Sequence, residues 1–201
     1  MPSVRRKNKL GVFLVDEKSV GQPFVKAFKD AVAAFNSYGS QICLKLEIVT
    51  SEAEANVKVY RLRYGEKLTV SWPDGPDSVL DGSKRQDNAH TWVMEYEGKT
   101  KRAEIIGAAC GIVVTKPGGN ENPAMAKLFL VHEFIHTAGL DDNKLHDPDG
   151  GDVFAASAGP MWESTPPDPL LGEQTISKLK RVWCDSAQKI SLTLESRPHQ
   201  A

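Results

Sequence analysis

The apolar positions of this chain fall into short runs, each with its own period, separated by polar breaks rich in Gly and Pro. Residues 9–15 form a compact apolar run suited to a buried strand. Pro23 then opens a segment with Phe24, Val25, Phe28, Ala31, Val32, Ala34 and Phe35 at helical spacing, ended by Ser37-Tyr38-Gly39. Ile42, Leu44, Leu46 and Ile48 alternate with their neighbours, which predicts a half-buried strand over 42–49. Residues 56–60 predict another, with Val57 and Val59 on one face. Further strands are expected at 68–72 and 91–96, and the polar stretch between them reads as an exposed or partly disordered loop. Residues 105–115 are apolar and β-branched enough for a strand, broken by Lys116-Pro117-Gly118-Gly119-Asn120.

The strongest helix signal follows. Asn122 suits an N-cap and Pro123 the first helical position, and Gly139 is a natural stop after an amphipathic helix reaching about Ala138. A polar Asp/Gly/Pro-rich stretch over 141–169 leads to a last helix near 172–187, with Ile176, Leu179, Val182 and Trp183 inward. Residues 190–194 would add a closing strand. The order of elements predicts an α+β fold, with a mixed sheet packed against helices.

Composition narrows the class without naming a function. A chain of 201 residues suits one domain and buries enough surface to fold without a metal or disulfide staple. With 25 Lys+Arg against 26 Asp+Glu, the net charge of −1 argues against nucleic-acid phosphate or an anionic membrane as the main partner. The basic cluster Lys99-Thr100-Lys101-Arg102 is therefore read as a solvated face. No apolar run approaches the ~18 residues of a membrane span, and the N-terminal run is too short for a signal peptide. A cytoplasmic protein, one exported without a signal, and a trimmed mature form are all compatible with that. A monomer is the expected state. Cys43, Cys110 and Cys184 are widely spaced and odd in number, so three unpaired buried thiols are the expectation, with one disulfide as the alternative.

The chemistry lies in His132-Glu133-Phe134-Ile135-His136. Histidines at i and i+4 stand one turn apart on one helix face, so both imidazoles can reach one ion. Zinc takes nitrogen donors at about 2.0–2.1 Å in tetrahedral geometry, and a helical turn supplies that bite. Glu133 beside them is placed to act as general base toward a metal-activated water.

The run His132 to Asp142, with Gly139 at its turn, resembles the metzincin signature H-E-x-x-H-x-x-G-x-x-H. It is similar in particular to the matrix-metalloprotease form H-E-F-G-H-x-x-G-L-D-H. The departure is Asp142 in place of the last His, as in the snapalysin-like branch. The resemblance implies a zincin/metzincin-like fold: a mixed, twisted sheet of five or more strands, an active-site helix and a C-terminal helix. It divides the single metallopeptidase domain into an N-terminal subdomain, 1–139, and a smaller C-terminal one, 140–201. It implies Zn²⁺ held by His132, His136 and Asp142, with His146 as the alternative third ligand and Glu163 or Glu173 as a gluzincin-type closure. Met161, in Ala158-Gly159-Pro160-Met161-Trp162, would be the methionine of the turn beneath the metal, and Trp162 part of the substrate pocket wall. The same fold uses an edge strand to pair with an extended peptide. The stretch 110–115, with Gly111 and Ile112, is the candidate.

The expected activity is that of a zinc-dependent endopeptidase acting on a protein or peptide. The alternatives are a non-catalytic zinc-stabilised binding module and a secreted effector or toxin protease of gluzincin type. Asp147-Pro148-Asp149-Gly150-Gly151-Asp152 has oxygen donors that suit Ca²⁺ but lacks the EF-hand spacing, so a plain turn is expected there.

Overall fold

A computed structural model of the chain describes residues 8–63, 65–71, 77–81, 89–97, 103–114, 123–140 and 170–184, with backbone alone for 89–97, 103–114 and 123–125. In chain order the elements are β1 (Lys9–Leu14), α1 (Gln22–Asn36), α2 (Gly39–Ile42) and β2 (Lys45–Ile48). A 3₁₀ turn at Glu52–Glu54 leads to β3 (Val57–Arg63), β4 (Lys67–Val70), β5 (Ser78–Asp81), β6 (Ala89–Glu97) and β7 (Ala103–Val114). The helices α3 (Pro123–Thr137) and α4 (Glu173–Trp183) follow. The class is mixed α and β, as the sequence predicts.

The main sheet runs β2-β1-β3-β7-β6. The pairs β1–β2, β1–β3 and β3–β7 are parallel, and β6 lies antiparallel to β7. Parallel neighbours need a crossover, and α1 supplies it between β1 and β2. β4 and β5 form a separate antiparallel pair, so part of the expected long loop is a hairpin strand. Its signal is weak because β5 is only Ser-Val-Leu-Asp, with polar residues at both ends.

The core follows from the two periods. Leu10, Val12 and Leu14 of β1 and Val57 and Val59 of β3 point the same way and are buried. They meet α1 through Phe24, Phe28, Ala31 and Phe35, all buried. Phe35 stacks edge-on against Phe134 of α3, with ring centroids 6.3 Å apart. One core cluster takes in α1, β1, β3, α3, Leu170, Leu171 and the α4 residues Leu179 and Trp183. Trp183 and Leu179 face inward as expected, whereas Ile176 and Val182 are only partly buried against the cluster.

Polar side chains complete the backbone hydrogen bonding of two strands. Asn36 donates from Nδ2 to the Leu46 carbonyl and accepts from the Leu46 N–H, both at 2.8 Å, so one amide side chain acts as a further partner for β2. Asn56 Oδ1 accepts the Gly11 N–H at 2.8 Å. Gly11 is fixed by this crowding, since a Cβ there would sit 2.6 Å from the Glu54 carbonyl oxygen.

Three expectations need correction. The alternation from Ile42 to Ile48 is not all strand: residues 39–42 make a helical turn, Cys43 takes a left-handed conformation (φ 55°), and β2 starts at Lys45. Ile42, Leu44 and Leu46 are buried, while Ile48 is 45% exposed. The cysteines are not all free, because Cys43 and Cys184 form a disulfide with Cα atoms 5.1 Å apart. And α3 is not amphipathic: from Ala126 to Leu140 it is buried on most sides, and the less buried positions include Phe129, His132 and His136, three and four residues apart.

Candidate metal centre

The end of α3 is built by its sequence. Gly139 has φ 98°, which an L side chain rarely adopts, and it lets the chain leave the helix sharply. The Gly139 N–H bonds back to the His136 carbonyl at 2.9 Å and the Leu140 N–H to the Ile135 carbonyl at 3.4 Å. These two bonds are those of a Schellman cap, and the buried side chains of Ile135 and Leu140 complete it. The turn brings the Leu140 carbonyl oxygen to 2.8 Å from His136 Nδ1.

That contact decides the tautomer. A carbonyl only accepts, so Nδ1 carries the hydrogen, and in the neutral ring His136 Nε2 is the nitrogen with the free lone pair. His136 Nε2 lies 3.2 Å from His132 Nε2, with the ring centroids 4.9 Å apart and the planes at 71°. Two bare nitrogen lone pairs at that distance repel, so a proton or a cation must sit between them. A tetrahedral ion with nitrogen bonds of about 2.0–2.1 Å holds its donors about 3.3–3.4 Å apart. The pair therefore fits zinc on distance, on donor type and on an outer partner for one ring.

Glu133 is buried, at 4% exposure, in the turn that carries both histidines. Buried carboxylates concentrate where chemistry needs them. Thr137, also buried, donates its hydroxyl to the Phe134 carbonyl at 2.8 Å, so it serves the helix rather than the ion.

His132 and His136 are thus brought together as the spacing requires, and Glu133 follows His132 in the chain with its side chain buried. Asp142, His146, Met161, Trp162, Glu163 and the Asp147–Asp152 turn lie outside the described residues, as does the expected strand at 190–194. Glu173 is exposed in the first turn of α4, a favourable place for a negative charge at a helix N-terminus. Among the described residues, no group of three or more His, Cys, Asp and Glu side chains is gathered to hold an ion.

The edge-strand role expected of 110–115 also changes. Gly111 pairs with Tyr60 on one side and His90 on the other, and Ile112 with Arg61 and Ala89. An interior strand has no free backbone edge for a peptide. Among the described residues β6 pairs on one side only, with β7, and it packs against α3. Strand order is a long-range property that local periodicity does not encode, so the sequence alone does not reveal that 110–114 lies inside the sheet.

The contacts that fix the end of α3 and the segment before α4 were also not foreseen. Trp183 Nε1 donates to the Ala138 carbonyl at 2.8 Å, and Tyr38 Oη accepts the N–H groups of Leu170 and Leu171 at 2.7 and 3.1 Å. An inward Trp in the last helix was the only available signal. Compared with known proteins, the chain matches no protein-family model and no curated protein.

Proposed function

We propose that the chain is a zinc-dependent endopeptidase in which His132 and His136 are two of the metal ligands and Glu133 is the general base. The observation that carries this reading is the 3.2 Å approach of the two Nε2 atoms, with His136 Nδ1 held by the Leu140 carbonyl. Zinc, when bound, supplies a Lewis acid that polarises a carbonyl and acidifies a water. Glu133 accepts the water's proton on its carboxylate as the new C–O bond forms, then delivers it to the leaving amine nitrogen. The Leu140 carbonyl holds the His136 ring in the tautomer that offers Nε2 as a donor. Asp142 is the proposed third ligand, with His146 as the alternative, and Met161 and Trp162 are proposed as the turn beneath the site and the pocket wall.

The finer fold assignment belongs to the same proposal. A zincin/metzincin-like scaffold is supported by the mixed sheet order, by a buried helix bearing the motif, and by the Gly139 turn. An extended peptide would add to β6 rather than to β7, and so run past α3. The disulfide supports work in an oxidising compartment, where such bonds persist.

Metal removal tests the reading. Dialysis against a chelator should abolish cleavage of casein or a peptide library, and stoichiometric Zn²⁺ should restore it. One zinc per chain with no cleavage of any substrate would assign the histidine pair to a non-catalytic site instead.

A further inference from the structure

The C-terminal helix is tied to the rest of the molecule at three places. Before it, the Leu170 and Leu171 N–H groups bond to Tyr38 Oη. At its last residue, Trp183 Nε1 bonds to the Ala138 carbonyl. One residue later, Cys184 is joined to Cys43 at the end of α2. Ala138 precedes Gly139 and Leu140, the residues that return the carbonyl to His136 Nδ1. Val182 closes on the same turn, since its Cγ1 would be 3.7 Å from a Cβ on Gly139. The path from the disulfide to the metal pair is therefore short: Cys184, its neighbour Trp183, the Ala138–Leu140 turn, the His136 ring.

We propose that the Cys43–Cys184 disulfide and Trp183 act together as a redox-sensitive brace for the metal pair, so that the chain holds its metal tightly only when this bond is formed. The inference rests on the metal-site reading above. Trp183 is a positioning residue here, acting through the Ala138–Leu140 turn and not on substrate. The disulfide spans 141 residues of sequence, so breaking it releases the end of α4 from α2 into a much larger set of conformations. A dithiol reductant would do so by thiolate attack on one sulfur, giving a mixed disulfide and one free thiolate here. Its second thiol then displaces the other cysteine. Two electrons and two protons pass to Cys43 and Cys184, and the reductant leaves as its own disulfide. In a dithiol-rich compartment the chain would be a weak metal binder, and it would gain its full site on reaching an oxidising one.

The test compares zinc affinity, by competition with a chromophoric chelator, in the full-length wild type, Trp183→Phe and the Cys43→Ser/Cys184→Ser double variant. Serine replacement avoids reductants that bind zinc themselves. Trp183→Phe keeps the disulfide and most of the ring but loses the N–H donor. Each variant should bind zinc about tenfold more weakly or worse, the scale of losing an outer-shell partner. The visible spectrum of bound Co²⁺ should shift as well. A residue that only packs would lower the melting temperature of the metal-free protein and leave affinity, measured well below the melt, unchanged. Wild-type affinity in either variant, with far-UV circular dichroism showing it folded, overturns the proposal. If the double variant does not fold, Trp183→Phe alone decides. A wild type that binds no metal overturns the metal-site reading first, and this inference with it.

Discussion

His136 Nδ1 lies 2.8 Å from the carbonyl oxygen of Leu140, four residues later, because the chain turns back on itself at Gly139. Backbone and imidazole are thereby coupled: the conformation of a glycine sets the orientation of the ring proposed to bind metal.

The first prediction concerns that turn. Gly139→Ala should destabilise the protein by about 1–2 kcal/mol, the scale of forcing an L side chain into a left-handed conformation. The cost is one of backbone conformation, since among the described residues a Cβ would meet only Val182 Cγ1, at 3.7 Å. Denaturant unfolding measures the loss, and zinc titration of the still-folded variant should show weaker binding. Unchanged stability and unchanged zinc affinity would mean the turn does not position His136.

The histidines make the second prediction. His132→Ala or His136→Ala should lower zinc affinity by more than about 100-fold, beyond what loss of an outer-shell partner costs. His90, in β6, provides the control, because His90→Ala should leave zinc affinity as it is. Calorimetric titration of the three variants distinguishes a specific pair from scattered imidazole binding.

A third prediction lies away from the site. Asn36 satisfies both the N–H and the carbonyl of Leu46, so Asn36→Ala leaves two backbone groups of β2 without their partner. The expected loss is about 1–3 kcal/mol of stability, with zinc affinity and cleavage rate unchanged at temperatures where the protein is folded. Urea unfolding beside an activity assay would show whether the two properties separate.

The parts of this molecule that were legible in the sequence are the local ones. The helix from Pro123 and the facing pair His132 and His136 depend only on a period of 3.6 residues and a capping residue. The stop at Gly139 was legible for the same reason, since few residues tolerate φ 98°. The covering of α3 on most sides was not, because it comes from α1, from β6 and β7, and from α4. Alternation misled at Ile42, whose burial in a helical turn looks the same as burial in a strand. The pairing of Cys43 with Cys184 joins residues 141 apart, and nothing in the spacing of three cysteines selects it. The interior place of β7 in the sheet was not legible either, because register and order are settled by packing across the whole domain.

The central claim is that a buried glutamate beside a zinc-ligating histidine pair drives peptide hydrolysis. Glu133→Gln keeps the shape of the side chain and removes its ability to take a proton. The direct measurement is zinc content and peptide cleavage rate of this variant beside the wild type. The account predicts one zinc per chain in both, with cleavage slowed by about 10²–10⁴-fold in the variant. Full cleavage by Glu133→Gln at equal zinc content would contradict it.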